Sequence, residues 1–281
     1  MKIAYGTYAM PTVPLEDAFP ALAKMGYEGV ELFIGPKHDR AMPQDMDAAR
    51  RKHLRSLLQD SNLAMPAMMI VGGLYQPDPT ARQANLDLMA RCAQLGRDLG
   101  MREPPVLAMG FGGRTADWDT IKGDLVETLA AYAELGERED FVVAGEAHCN
   151  AAVDRSERIT WLLDTVSHPR VRLHFDIVHL FLAGEEIEDA VRVLLPYTAH
   201  THITDARRHA DGTFELLLLG DGELDSVAYL RAMKDNGWND FITLEVSTRV
   251  WSQEGYDPYE AARYCYRNLS GAFEAAGVPR G

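Results

Sequence analysis

The sequence predicts an α/β fold, a single (β/α)8 TIM barrel occupying residues 1–281, and three observations lead to it. Short β-type runs alternate with amphipathic helical stretches from end to end, and eight such pairs can be counted. No Gly/Ser linker, low-complexity block or break in composition divides the chain. A doubly wound open sheet is the rival architecture, but the GxGxxG fingerprint is missing and eight evenly spaced units favour closure.

The first strand is read near Lys2 to Thr7, and the helix after it from Leu15 to Met25, where Leu15, Ala18, Phe19 and Leu22 recur at helical spacing. Gly26 supplies a C′ stop, whereas Pro20 weakens the helix interior. Strand two is GVELFIG, strand three AMPAMMIV and strand four PPVLAMGFG. Helices are read near Met46 to Gln59, Ala81 to Leu99 and Trp118 to Glu137. Strand five is FVVAGEAH, strand six VRLHFDIVHL, strand seven AHTHITDA and strand eight FITLEVS, and a last helix near Pro258 to Ala276 closes the outer ring. Asp225, ahead of Ser226-Val227-Ala228, reads as the N-cap of the seventh helix. Gly110, Gly112 and Gly113 read as a flexible loop, since no lysine follows them in a phosphate-cradling pattern.

Composition narrows the function. With 28 Lys and Arg against 42 Asp and Glu, a formal charge of -14 repels phosphate backbones and anionic lipid, so neither nucleic acid nor membrane is an expected partner. Three widely spaced cysteines, Cys92, Cys149 and Cys265, form neither a CxxC pair nor a disulfide framework. A reducing cytoplasm is expected, and the opening MKIAYGTYAM has no apolar signal-peptide core. The sequence is compatible with a homo-oligomer and does not require one.

Candidate chemistry follows from the pleat, because alternate residues of a strand face opposite sides of the sheet. In strand eight Ile242, Leu244 and Val246 share the helix-facing side, so Thr243 and Glu245 point into the barrel. The same parity turns His174 and Asp176 inward in strand six, Val142, Ala144, Glu146 and His148 in strand five, and His200, His202 and Thr204 in strand seven. These polar residues gather at C-terminal strand ends, where barrel enzymes build their sites. Alone, each carboxylate is as readily an ion-paired or capping residue. Together Glu146, Asp176 and Glu245 would repel one another without a counter-ion, and with His202 they offer three oxygens and one nitrogen to one divalent cation. Manganese is the first expectation, with magnesium, cobalt and zinc also compatible.

In order and spacing, GYEGVEL from Gly26, GEAH around Glu146, HFDIVHL with its DxxH at Asp176 and His179, HTHITDARR around His202, LGDGELD, and TLEV around Glu245 resemble the xylose isomerase-like barrel superfamily. The resemblance covers nearly the whole chain and names the same four ligands: Glu146, Asp176, His202 and Glu245. It implies a metal-dependent isomerase or epimerase acting on a keto-sugar or keto-polyol through a cis-enediolate, with Glu146 and Glu245 as the two acid/bases. It also implies substrate contacts from His179 and Arg208, with Arg207 adjoining the latter. His148 is read as a proton shuttle, a donor to a substrate hydroxyl, or simply a polar residue filling the mouth. Tyr8 is a substrate-binding candidate; Glu31 is read as at least as much a hydrogen-bonding support as a contact, and His200 as too deep to act.

Relatives of the same superfamily make a lyase or dehydratase the alternative, on a related keto-sugar, keto-inositol, dehydroshikimate or 3-oxo-C-glycoside, because an enediolate can also expel a β-leaving group. A nuclease like endonuclease IV is remote. That family's extra zinc-binding histidines are absent, no histidine occurring between His53 and His148. A non-catalytic sugar-binding protein would need no pair of glutamates.

Overall fold

Eight of the apolar runs pair edge to edge and close on themselves in a computed structural model that describes residues 1–113 and 118–281. They are β1 (Lys2–Gly6), β2 (Gly29–Ile34), β3 (Met68–Gly73), β4 (Val106–Gly110), β5 (Val142–Glu146), β6 (Val171–Asp176), β7 (Thr198–Ile203) and, beyond the two-stranded hairpin of β8 (Asp205–Arg208) and β9 (Phe214–Leu217), β10 (Phe241–Leu244). The ring runs β1-β10-β7-β6-β5-β4-β3-β2, and every ladder in it is parallel. Parallel neighbours need crossovers, and helices supply them. These are α1 (Leu15–Met25), α2 (Ala48–Asp60), α3 (Pro79–Leu99), α4 (Trp118–Glu139), α5 (Ser156–Val166), α6 (Ile177–Leu182), α7 (Ile187–Leu194), α8 (Ser226–Asp235), α9 (Thr248–Trp251) and α10 (Pro258–Ala276).

Most of the core lies between strands and helices. Ile3, Tyr5, Val30, Leu32, Phe175, Ile242 and Leu244 are wholly inaccessible there, and burying such side chains contributes about 1.5–3 kcal/mol each. The opposite parity fills the barrel with small residues: Ala67, Val106, Ala108 and Ala144 form a separate interior cluster. Several of the many aspartates act as helix caps. Asp47, Asp78, Asp225 and Asp257 accept backbone N–H groups at the starts of α2, α3, α8 and α10, with the shortest bonds near 2.8 Å, and an N-cap of this kind stabilises by about 1 kcal/mol. Gly26 ends α1 in the left-handed conformation as expected, and the helix runs through Pro20 unbroken.

Two strand readings are corrected. The run read as strand six ends at Asp176, whose Oδ1 accepts the Val178 N–H at 3.0 Å and so starts α6; DIVHL is apolar enough to look like strand but is a helical turn carrying His179. The run read as strand seven also ends early, at Ile203. After Thr204 the chain leaves the barrel as the antiparallel β8–β9 hairpin, which the sequence reading lacks altogether. Asp205, buried at the base of that hairpin, explains the LGDGELD segment: its Oδ1 accepts the N–H of Ala206 and Leu224 at 2.8 and 3.0 Å, and its Oδ2 those of Gly220 and Gly222 at 2.9 and 3.0 Å. A Cβ on Gly222 would lie 2.2 Å from Asp205 Oδ1, so only glycine fits there. Gly112 and Gly113 both have positive φ, and the loop they open continues into residues outside the described range.

Candidate metal centre and active site

Parity and register bring the inward polar residues to one level. Glu146 ends β5 beside Gly110 and His174; Asp176 ends β6 beside His202; His202 stands beside Thr243 of β10. Glu245 follows β10 directly, and its N–H reaches Ile203 O at 3.2 Å, which carries the ladder one residue further. Glu146, Asp176, His202 and Glu245 each offer an atom within 4.8 Å of the others. His202 Nδ1 is 3.7 Å from both Glu146 Oε1 and Glu245 Oε2, too far for a hydrogen bond and suited to two ligands of one ion.

The chemistry of these atoms fits a divalent cation. Glu146 Oε1, Asp176 Oδ2 and His202 Nδ1 are buried with no hydrogen-bond partner, an expensive arrangement for three polar atoms facing one point. Their companion atoms are all committed. Asp176 Oδ1 is held by the Val178 N–H, Glu146 Oε2 lies 3.2 Å from His148 Nε2, and His202 Nε2 lies 3.0 Å from both oxygens of Glu31. That last pairing assigns the Nε2–H tautomer and leaves Nδ1 facing the centre, the carboxylate–histidine support common behind metal ligands. Glu31 also takes a 2.7 Å hydrogen bond from His200 Nε2, below the site. Burial opposes its ionisation, but the two imidazoles outweigh burial and hold the carboxyl well below the usual range. Gly6 on β1 leaves it room: a Cβ there would come 3.1 Å from Glu31 Oε1.

Without a cation the cluster is frustrated. Burial and the charge of Glu146 push Asp176 up to about 7; burial pushes Glu245 up to about 8, with Glu146 and Asp176 adding to the rise and His202 opposing it. Burial works against Glu146 as well, yet His148, His174 and His202 together hold it low. Burial also works to lower His202, but Glu31 and Glu146 outweigh it and hold the imidazole protonated. One ion could replace these protons.

The flanking candidates fall on two walls. On the β5–β7 side the His148 ring, 42% exposed, lies 4.4 Å from that of His179 between centroids. Burial and His148 push His179 down to about 3, and its Nε2 is 3.8 Å from Asp176 Oδ2. Arg208 lies over the Phe181 ring, whereas Arg207 bonds Glu215 Oε1 at 2.8 Å within the hairpin, which separates the two adjacent arginines. On the β1–β2 side Tyr8 packs against Phe33 at 4.5 Å, Trp251 at 5.4 Å and His38 at 5.9 Å between ring centroids. Sequence reasoning named Tyr8 as a candidate but not the Phe33, His38 and Trp251 packed against it. Phe33 alone carried a signal, sharing the inward parity of Glu31.

Comparison with known proteins agrees with this architecture. A curated relative, fructoselysine 3-epimerase of Escherichia coli O157:H7, is 22% identical over 280 residues, covering 93% of this chain and 98% of the relative. L-ribulose-5-phosphate 3-epimerase UlaE of Escherichia coli (strain SMS-3-5 / SECEC) is 19% identical over 239 residues, covering 84% and 81%. Among solved structures, the IOLI protein with a binding zinc atom superposes with a TM-score of 0.82 at 17% identity, covering 98% of this chain and 99% of the other. The xylose isomerase-like TIM barrel family matches residues 19–268, and the chain belongs to that family.

Proposed function

We propose that the chain is a divalent-metal-dependent isomerase or epimerase of a keto-sugar or keto-polyol. The observation that carries this is the convergence of the unpartnered, buried Glu146 Oε1, Asp176 Oδ2 and His202 Nδ1 beside Glu245. Both curated relatives described above are named as sugar 3-epimerases. Glu146, Asp176, His202 and Glu245 would hold the ion, manganese by preference, since three carboxylates and one imidazole are a hard, oxygen-rich set. Bound there, such an ion would supply Lewis-acid polarisation of a substrate carbonyl and so acidify the neighbouring C–H.

The protein's own groups do the rest. Glu146 ends β5 and Glu245 directly follows β10, strands three places apart around the ring, so they address a substrate from different sides. One removes the proton next to the carbonyl and the other returns it, which inverts that carbon or moves the carbonyl through a cis-enediolate. His179, neutral and buried beside Asp176, donates to or accepts from a substrate hydroxyl, and Arg208 and His148 orient the polar end. Tyr8 and its aromatic neighbours cover the opposite face of the substrate and exclude water.

The test is incubation of manganese-loaded protein with a panel of ketoses and keto-inositols in deuterated water, followed by NMR. Deuterium should appear at the carbon next to the carbonyl. Its absence from every member, with the metal bound, refutes the reading; loss of a β-substituent would instead identify a lyase.

A further inference from the structure

Arg208 and Phe214 are directly opposed partners in the antiparallel β8–β9 hairpin, so their side chains leave the same face. The Arg208 guanidinium lies 4.3 Å from the Phe181 ring centroid, and the Arg249 guanidinium lies 5.3 Å from that of Phe214. Phe181 follows His179 on α6, and Arg249 lies on α9 just past Glu245. One face of the hairpin is thus held between the two segments that leave the metal-centre strands β6 and β10, and it gathers both guanidinium groups there.

Among the described residues neither guanidinium makes a hydrogen bond or an ion pair, although carboxylates outnumber cations 42 to 28 in this chain. A cation–π contact of this kind uses no hydrogen-bond donor, so the N–H groups of both guanidiniums stay available to an anion. Both side chains are exposed, yet the Phe181 and Phe214 rings localise the two cations. Arg249 also acts across the mouth: burial and Asp176 push the Cys149 thiol up to about 11, and the charge of Arg249 draws it back.

We propose that Arg208 and Arg249 form an anion subsite at the barrel mouth, and that the substrate is a keto-sugar or keto-polyol bearing a phosphate ester or carboxylate remote from its carbonyl. The keto part rests on the function proposed above; the subsite does not. Repulsion from the carboxylates below keeps such an anion at the mouth and thereby turns the carbonyl end inward. Two guanidinium groups, each able to bond an oxyanion in bidentate fashion, read a planar or tetrahedral oxyanion better than lysines would.

The test uses polyols without a carbonyl, so turnover does not intervene. Ribitol, ribitol 5-phosphate and ribonate are titrated calorimetrically into the manganese-loaded protein. One of the two anions should bind roughly tenfold or more tighter than ribitol. A phosphate preference identifies a sugar phosphate substrate, a ribonate preference a sugar acid. Arg249→Gln and Arg208→Gln should each erase most of the difference while the protein still holds its metal, which separates the arginines from direct contact between anion and ion. Equal affinities, no anion binding, or a preference that survives both substitutions overturns the proposal. Anion preference without deuterium incorporation from any ketose would keep the subsite and remove the epimerase reading.

Discussion

Loading the metal centre should expel protons, and the number should depend on pH in a way the site dictates. Asp176, raised to about 7, is half protonated at neutral pH, Glu245, raised to about 8, is mostly protonated, and His202 is charged. A cation needs all three deprotonated at the coordinating atom, so binding at pH 7 should release about two protons. Near pH 9 both carboxylates have already ionised and the release should fall to about one or less. The sign for stability is the reverse of the usual carboxylate case. A raised folded-state value means that the folded chain holds protons the unfolded chain has shed, so the metal-free protein loses this stability as pH rises through about 7 to 8. The buried histidines His174 and His179 titrate below that window and do not mask it. Calorimetric titration with Mn²⁺ in buffers of different ionisation enthalpy, at pH 7 and at pH 9, counts the protons. No release at pH 7, or a release that grows toward pH 9, would refute the frustrated-cluster account.

Three further outcomes are expected. Replacing Glu146 or Glu245 by glutamine keeps a ligating oxygen and removes the base, so turnover should drop roughly a hundredfold or more while bound metal stays near one ion per chain; near-normal turnover in both variants would end the two-base mechanism. Glu31→Gln weakens the group that orients His202, and manganese affinity measured by titration should fall about 10–100-fold. Gly222→Ala drives a methyl group into Asp205 Oδ1, where the space is 2.2 Å, and should lower stability to urea by about 1–3 kcal/mol; an unchanged midpoint would mean that the segment relaxes freely.

The candidate metal ligands were legible because they sit in or immediately beside strands, where a period of two converts sequence position into direction. Counting alternate residues turned Glu146, Asp176, His202 and Glu245 inward, where their atoms do converge, and the hydrogen bonds of Glu31 to His200 and His202 were half visible in GVEL. Legibility failed where the backbone changes direction within a uniform run. Nothing apolar or polar in DIVHL distinguishes continued strand from the turn that Asp176 caps, and TDARR continues the β-like composition of β7 while leaving its sheet. The aromatic wall escaped for a different reason: Tyr8, Phe33, His38 and Trp251 come from segments that meet only once the ring closes. Arg249 escaped likewise, since its partner Phe214 lies on a hairpin the sequence did not announce.

Asp205 marks a seam. On one side, parallel ladders fix the four candidate ligands; on the other, a single carboxylate and four backbone N–H groups fix the hairpin and the turn after it. No rung of the barrel passes through β8 or β9. The candidate ligands and the hairpin are therefore fastened separately, and the stretch between Ala206 and Gly220 is the natural place to splice in a hairpin of other length or charge. A library confined to those positions would vary the hairpin while leaving the ladders that place Glu146, Asp176, His202 and Glu245 unaltered.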